Sequence, residues 1–205
     1  MSDAVIHLID DDDGVRHSLI FSLTAAGHAV RAYESALVFL DSLDSLQPGC
    51  IVSDMRMPEM DGLQLRRRLR ELRVSLPMII MTGHADIRMA VEAMKAGVAD
   101  FIEKPFDDEA LLAAIREALA ESEATAQRDR GTQMARIRLE TLSPREREVL
   151  QGLVAGLPNK SIANDLKLSP RTVEVHRANV MTKMGASSLS ELVRMALATG
   201  ILSAS

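Results

Sequence analysis

Apolar positions between residues 5 and 120 alternate between short continuous runs and segments with helical spacing. The runs predict five β-strands, at Val5–Ile9, Ala29–Tyr33, Cys50–Ser53, Met78–Met81 and Phe101–Ile102. The helical segments after them are Val15–Ala26, Ala36–Leu43, Gly62–Leu72, Met89–Ala96 and Glu109–Ala120. Because largely apolar strands alternate with helices, the pattern predicts an α/β domain with a parallel sheet that is covered on both faces.

The pattern changes near residue 122, beyond which the strand signals vanish. Residues 123–138 are polar and charged, and their composition predicts a linker that is either helical or flexible. Residues 139–205 have helical spacing only, which predicts an all-α domain of four helices. The chain is therefore expected to contain one domain over residues 1–122, a linker over 123–138 and a second domain over 139–205.

Serine residues mark the starts of helices in the second domain. Ser143 and Ser169 each precede a proline, so serine stands at the N-cap and proline at the first helical position. The acids three residues after Ser143 and Ser188 complete the pattern of a capping box. The short helix Lys160–Leu166 and the longer helix from Ser169 to about Met184 predict a helix-turn-helix.

Composition and charge exclude several classes of protein. One cysteine cannot form a disulfide framework or a cysteine-based zinc site. No apolar run approaches the roughly 18 residues of a membrane span, and the acidic start is unlike a signal peptide, so we expect a cytoplasmic protein without membrane contact. Residues 1–123 carry 12 Lys and Arg against 22 Asp and Glu, whereas residues 124–205 carry 12 against 7. An acidic domain joined to a basic one predicts two different partners.

Charged and hydroxyl side chains follow four of the predicted strands. Asp10 and its three acidic successors follow the first strand, Asp54 the third, Thr82 the fourth and Lys104 the fifth. Since a parallel sheet brings these ends to one edge, the acids are expected to converge there and to bind Mg²⁺. The sequence predicts phosphoryl transfer onto Asp54, with Lys104 and Thr82 as donors to the phosphoryl group.

A simpler interpretation is open for part of this acidic cluster. Acids that directly follow a strand are often solvated turns or helix N-caps. For Asp12 and Asp13 this simpler interpretation is the favoured one, because only two acids are needed at the site.

From Val5 to about Leu119 the chain resembles the receiver domains of response regulators, which have a flavodoxin-like fold. The resemblance rests on the spacing of the acids, Thr82 and Lys104 and on segment 54–62. It implies that Asp54 accepts a phosphoryl group from a partner histidine kinase. It also implies that Mg²⁺ is bound by Asp11, Asp54 and the main-chain carbonyl of Arg56, with Asp10 acting through water.

The same resemblance implies a conformational switch. Lys104 would contact the phosphoryl group, Thr82 would move towards it, and Phe101 would rotate as Thr82 shifts. The Lys104–Pro105 peptide is expected to be cis. The helix around residues 87–96 would carry the readout, and its candidate dimer face consists of Met89, Val91, Met94 and Lys95. The alternative for the methionines is an ordinary core position.

The predicted recognition helix has two faces. Val173, His176, Val180 and Met184 recur at helical spacing and are expected to form its buried stripe. Small and polar residues on the other face suit a major groove, where Glu174 would accept from cytosine and Val175 or Ala178 would touch a thymine methyl. The residues expected to contact phosphates are Lys160, Arg171, Arg177 and Lys183. The alternative is a plain helical bundle with a solvated charged face.

Residues 139–202 resemble the LuxR-type helix-turn-helix, whose motif includes Ser143, Asn159, Ile162, Thr172 and Val175. Thr172 and Asn179, on the same helix, complete the predicted set of DNA-binding residues. The two resemblances together imply a two-component transcription regulator. Its expected partners are a histidine kinase, double-stranded promoter DNA, a second copy of the chain when phosphorylated, and RNA polymerase.

A closer likeness, carried by segments 90–97, 158–163 and 175–181, is to regulators that activate nitrogen-fixation or microaerobic genes. Three alternatives are open: a regulator of the same type for another pathway, a phosphorelay carrier without DNA binding, and a Mg²⁺-dependent phosphatase with Asp54 as nucleophile. The phosphatase would need an acid two residues after Asp54, where the chain has Arg56. We therefore expect that the chain is not an enzyme.

Overall fold

The computed structural model describes residues 4–83 and 87–200, and for residues 87–90 it describes the backbone alone. The chain divides into two compact units, Met1–Ala124 and Thr125–Ser205, which are here called the N-terminal and C-terminal units. Among the described residues, no helix combines the length and the apolar character needed to cross a membrane.

The N-terminal unit is built on a parallel five-stranded sheet, as the sequence predicts. Its strands are β1 (Val5–Ile9), β2 (Ala29–Tyr33), β3 (Gly49–Asp54), β4 (Met78–Thr82) and β5 (Asp100–Glu103), in the order β2-β1-β3-β4-β5. This is a flavodoxin-like order with its switch point between β1 and β3. Strands β3, β4 and β5 exceed their predicted apolar runs by one or two residues, because backbone pairing continues into polar positions such as Asp54 and Thr82.

Four helices connect the strands and cover the sheet: α1 (Asp13–Ala25), α2 (Ala36–Asp41), α3 (Gly62–Glu71) and α4 (Ile87–Ala96). Helix α2 is shorter than predicted, since a 3-10 turn at Leu43–Ser45 replaces its end. Alternate strand residues point to opposite faces and fill two separate cores. Core residues on one face include Ile9, Phe39, Ile51, Leu65 and Ile80. Those on the other include Leu8, Leu23, Val52, Ile79 and Ile115.

Helix α5 (Asp108–Glu140) runs through the segment predicted as a linker, so the helical alternative is correct. The predicted end near Ala120 is wrong, because the following residues are mostly Ala, Glu, Gln and Arg, which favour helix. Gly131 is the one glycine of this helix, and a side chain there would meet nothing within 4 Å. The division between the two units falls inside α5.

The described part of the C-terminal unit continues with α6 (Pro144–Val154), α7 (Asn159–Leu166), α8 (Pro170–Met184) and α9 (Leu189–Ala198). Ser143 and Ser169 cap α6 and α8 as predicted, and the capping box of Ser143 is complete. The box predicted at Ser188 is only half formed. The Glu191 carboxylate accepts from the backbone and hydroxyl of Ser187 rather than from the Ser188 backbone.

One ion pair in the C-terminal unit joins the start of α6 to the end of α8. Glu146, whose side chain is 5 % exposed, accepts a hydrogen bond of 2.7 Å from the Lys183 ammonium. The Ser143 backbone N–H donates to the same carboxylate oxygen at 2.8 Å. First the Lys183 ammonium and then the Ser143 N–H hold the pKa of Glu146 at about 2, well below its usual 4.5. The carboxylate is therefore charged and bound by both donors at neutral pH.

This ion pair predicts that acid weakens the C-terminal unit. Because the pKa of Glu146 is depressed by folding, its contribution to stability is complete above about pH 4.5 and is lost as the pH falls towards 2. We expect Lys183→Met to destabilise the unit by about 1–3 kcal/mol at neutral pH, since it leaves a buried carboxylate without its cation. Hydrogen exchange of the α6 and α8 amides in the whole chain, corrected for intrinsic rates, measures both effects.

The control is Glu148→Gln on the same helix, because the Glu148 side chain is 41 % exposed and pairs only with Arg145, at 2.8 Å, in the described structure. Glu146→Gln should lower protection at neutral pH and reduce its decline in acid, while Glu148→Gln behaves as wild type. Equal protection in wild type and Glu146→Gln at neutral pH would show that the pair does not stabilise the unit.

Candidate phosphoryl-acceptor site and nucleic-acid interface

The register of the sheet brings the predicted site residues to one edge. Ile9 at the end of β1 lies opposite Ser53 on β3. The next residues along the two segments are Asp10 and Asp54, which are therefore also neighbours. Thr82 ends β4 opposite Glu103, and Lys104 comes next. Asp10 and Thr82 are buried, and Asp54 is 9 % exposed. The edge therefore holds two carboxylates and a hydroxyl that water reaches only in part.

The Lys104 ammonium bridges the two buried carboxylates. It donates to Asp54 Oδ1 at 2.6 Å and to Asp10 Oδ2 at 2.9 Å. Burial alone would lower the pKa of Lys104, but the hydrogen bonds and charges of Asp54 and Asp10 outweigh it and raise the pKa. Lys104 thus stays charged, and the three groups together keep one net negative charge. The peptide between Lys104 and Pro105 is cis, as expected.

The backbone after β3 fixes the Asp54 carboxylate. Its Oδ2 accepts from the Arg56 backbone N–H at 2.7 Å, while Oδ1 faces Lys104. The loop closes where the Gly62 N–H donates to the Met55 carbonyl at 3.0 Å. A Cβ on residue 62 would lie 2.7 Å from the Asp54 carbonyl oxygen, so this close approach requires glycine. Asp54 is therefore held in one orientation by its own loop.

The other acids of the cluster have different roles. Asp12 caps α1 by accepting from the Val15 N–H at 3.0 Å, and the N–H groups of Val15 and then Gly14 lower the pKa of Asp12. Asp13 lies in the first turn of α1, where it pairs with Arg16. The simpler interpretation of Asp12 as an N-cap is thus confirmed. Asp11, between Asp10 and Asp12 in the chain, is exposed at the same edge.

Arg16 supports the site in a way that sequence reasoning missed. Its guanidinium donates to the main-chain carbonyl of Asp10 at 2.6 Å. The Asp10 carboxylate also accepts from the Asp12 backbone N–H at 3.0 Å. Arg16 follows Asp13 by three residues on α1, a spacing that brings side chains together on a helix. This spacing is the feature of the sequence that could have indicated that Arg16 lies beside the acidic cluster.

The donor set fits Mg²⁺. Among the residues that the structure describes, no group of three or more His, Cys, Asp or Glu side chains is arranged as a metal site. Mg²⁺, however, needs only one or two carboxylates and completes its shell with water and phosphate oxygens. Asp10, Asp54 and exposed Asp11 supply hard oxygen atoms, and Lys104 neutralises only one of their three charges. A divalent cation is the chemical partner that this excess of negative charge favours.

The predicted switch residues occupy places from which a signal could pass to α4 and β5. The Thr82 carbonyl accepts from the Lys104 N–H at 2.7 Å, and half-buried Phe101 packs against one of the cores. Val91 and Met94 are 46 % and 57 % exposed, which excludes a core position for Met94. Lys95 is also exposed. The side chain of Met89 lies outside the described residues.

Helices α7 and α8 form the predicted helix-turn-helix. Val173, Val180 and Met184 are fully buried, as expected. The prediction for His176 is correct only in part, because the ring is half-buried and its buried Nδ1 has no hydrogen-bond partner among the described residues. The exposed residues of α8 include Arg171, Glu174, Val175, Ala178 and Asn179.

Two of the predicted DNA-binding residues have partners inside the protein. Thr172 is half-buried, and its hydroxyl bonds to the Ser169 hydroxyl at 2.8 Å as part of the α8 cap. Lys183 pairs with buried Glu146 and so has a role in the fold, and its contact with a DNA phosphate stays a prediction. Lys160 is exposed on α7 and Arg177 is half-buried on α8. Basic side chains thus remain on both helices of the motif.

Comparison with known proteins agrees with both halves of this structure. Residues 6–116 match the response regulator receiver domain family, and residues 140–196 match the bacterial regulatory proteins of the luxR family. The chain is 54 % identical to the transcriptional regulatory protein FixJ of Rhizobium meliloti, over 98 % of each chain. It is 40 % identical to the tetrathionate response regulatory protein TtrR of Salmonella typhimurium, over 93 % of this chain and 91 % of that one.

A solved structure gives the same result. The crystal structure of full-length FixJ from B. japonicum matches with a TM-score of 0.63 and 50 % identity, over 98 % of this chain and 99 % of that chain. These likenesses span both units and the site residues described above. The chain therefore belongs to the FixJ-like two-component response regulators, which join a receiver domain to a LuxR-type DNA-binding domain.

Proposed function

We propose that Asp54 accepts a phosphoryl group from a partner histidine kinase. The observation that carries this proposal is the Lys104 ammonium, which lies 2.6 Å from Asp54 and 2.9 Å from Asp10 at the sheet edge. The Asp54 carboxylate is the nucleophile, and the Lys104 ammonium stabilises negative charge on the arriving phosphoryl oxygens. Mg²⁺, held by Asp11, Asp54 and the Arg56 carbonyl with Asp10 acting through water, would neutralise the remaining charge.

Phosphorylation then changes the balance of forces at the edge. The new group adds about −1.5 to −2 charge and competes for the Lys104 ammonium, which now serves two carboxylates. Thr82, at the end of β4, is the hydroxyl proposed to move towards the phosphoryl group, with Phe101 rotating behind it. The change reaches α4 and β5, where exposed Val91 and Met94, with Met89 and Lys95, form the proposed homodimer face.

Dimerisation would bring two α8 helices to one double-stranded DNA site. Exposed Glu174, Val175 and Ala178 would read base edges in the major groove. Lys160, Arg171, Arg177 and Asn179 would contact the backbone and supply the salt-dependent part of the affinity. We propose that the chain acts on promoters in the cytoplasm together with RNA polymerase, and that it is a regulator rather than an enzyme.

The regulated genes are proposed to be those of nitrogen fixation or microaerobic growth. The support is the identity to FixJ, which exceeds that to TtrR by 14 percentage points (54 % against 40 %) over nearly the whole chain. The likeness to TtrR favours a second candidate, a FixJ-type regulator that serves another pathway. Selecting bound duplexes from a random DNA pool and locating them in the genome distinguishes the two.

A small-molecule phosphodonor with Mg²⁺ should tighten binding of the whole chain to a duplex selected in this way. Asp54→Asn should abolish the response, because the acceptor carboxylate is gone. Lys104→Met should slow phosphorylation about 100-fold, since one preorganised cation is lost. Fluorescence anisotropy of the labelled duplex, with and without the donor, measures the response.

The matched control is Asp41→Asn, which removes one carboxylate from an exposed position at the end of α2. This variant should respond to the donor as wild type does. If Asp54→Asn responds as fully as Asp41→Asn, the acceptor is another group and the proposal is wrong.

Substitutions on α8 should separate base reading from backbone binding. Glu174→Ala should cost about 1–3 kcal/mol of discrimination at one base pair, whereas Arg171→Ala should weaken all duplexes alike and reduce the slope of log affinity against log salt by about 1. Titrations of matched and single-mismatch duplexes at several salt concentrations measure both effects. Arg194→Ala, exposed on α9, is the control. Equal loss in all three variants would contradict a recognition role for α8.

A further inference from the structure

The acidic N-terminal unit contains a basic groove, and the proposed function uses only Lys95 of its lining. The groove lies between α3 and α4, has a volume of about 400 Å³ and is lined by Arg67, Arg70, Glu92, Lys95 and Ala96. It therefore presents three cations against one anion. Residues 1–123, by contrast, carry 22 acidic against 12 basic side chains. The groove is therefore a local excess of positive charge on a unit whose net charge is negative.

Helix α3 concentrates these cations at an electrostatic cost. Four arginines stand at positions 66, 67, 68 and 70, and neighbours three and four residues apart on a helix repel each other when their charges are alike. Arg68 is relieved by its ion pair with Glu71 at 2.9 Å. Within the described residues, Arg67, Arg70 and Lys95 make no ion pair, so the groove keeps its positive charge.

Arg66 adds a further uncompensated charge beside the groove. Its guanidinium lies against the residue after Ala96, since Nη2 is 3.5 Å from the point where a Cβ on Gly97 would be. Nε and Nη1 are buried without a hydrogen-bond partner among the described residues. Burial, and then the charge of Arg70, lower the pKa of Arg66. A buried donor without an acceptor is costly, and an anion in the neighbouring groove would reduce that cost.

The groove and the proposed dimer face lie on neighbouring flanks of α4 and meet at Lys95. At about 100° per residue, Glu92, Lys95 and Ala96 share one flank, and this flank lines the groove with α3. Val91 and Met94 turn to the other flank and are exposed. Lys95 lies about 40° from Val91 around the helix, so it lines the groove and also borders the proposed dimer face.

We propose that the α3–α4 groove binds an acidic peptide segment of a partner protein. Arg67 and Arg70 offer planar forks that match carboxylates, and Lys95 offers a further point charge from the facing helix. An acidic peptide is favoured over nucleic acid because Glu92 interrupts the cationic lining, so the groove does not offer the continuous row of cations that a phosphate backbone requires. This binding is separate from phosphorylation of Asp54 and does not depend on it.

The test titrates the whole chain with a short oligo-glutamate peptide and follows its backbone amide signals by nuclear magnetic resonance. Oligo-glutamine of the same length is the neutral control probe. Signals of α3 and α4 should shift with oligo-glutamate and not with oligo-glutamine. The double variant Arg67→Gln/Arg70→Gln should bind oligo-glutamate with an apparent affinity, measured from these shifts, that is about tenfold lower. The matched double variant Arg68→Gln/Arg73→Gln removes the same charge from neighbouring exposed positions and should bind as wild type does.

Three results would overturn the proposal. The first is an equal affinity of the two double variants, which would show only a response to net charge. The second is a set of shifts confined to residues outside α3 and α4. The third is a single-stranded oligonucleotide that displaces oligo-glutamate from this groove and binds it more tightly, which would assign the groove to nucleic acid. Unchanged backbone amide signals outside α3 and α4 show that both double variants are folded whether or not Asp54 is phosphorylated, so failure here is distinct from failure of the proposed function.

Discussion

The rest of the receiver structure depends on one interaction, the pairing of the Lys104 ammonium with the carboxylates of Asp10 and Asp54. Asp10 and Asp54 are two carboxylates at the ends of neighbouring strands, and neither is well solvated. Without a cation between them their charges would oppose the packing of β1 against β3. Lys104 bonds to both, and it directly follows β5, which is two strands away from β3 in the sheet. The strand register, the fixed loop from Asp54 to Gly62 and the charge of the edge thus support each other.

The same arrangement makes the site responsive. One ammonium serves two carboxylates, so any new anion at Asp54 draws on a cation that is already shared. In the C-terminal unit Lys183 has a different role. It binds one buried carboxylate, that of Glu146, and so joins the end of α8 to the start of α6. We propose that the first lysine changes partners on phosphorylation, whereas the second joins α8 to α6. The exposed residues of α8 are those proposed to contact DNA.

Much of this was predictable from local sequence. The strand ends, and with them Asp10, Asp54, Thr82 and Lys104, follow from apolar runs and the rule that parallel strands share an edge. Ser-Pro caps predicted the starts of α6 and α8. The pairing of Glu146 with Lys183, 37 residues apart, and the burial of Arg66 are tertiary contacts that no local pattern contains. The length of α5 was undetermined because its composition suits both a helix and a flexible linker.

The central claim is that one carboxylate, Asp54, receives the phosphoryl group under the control of Lys104. The most direct measurement is the intact mass of the chain after exposure to a small phosphodonor and Mg²⁺, followed by mapping of the modified residue. The account predicts a single added phosphoryl group, located on Asp54 and formed far more slowly in Lys104→Met. A phosphoryl group on another residue, or equal rates in wild type and Lys104→Met, would contradict it.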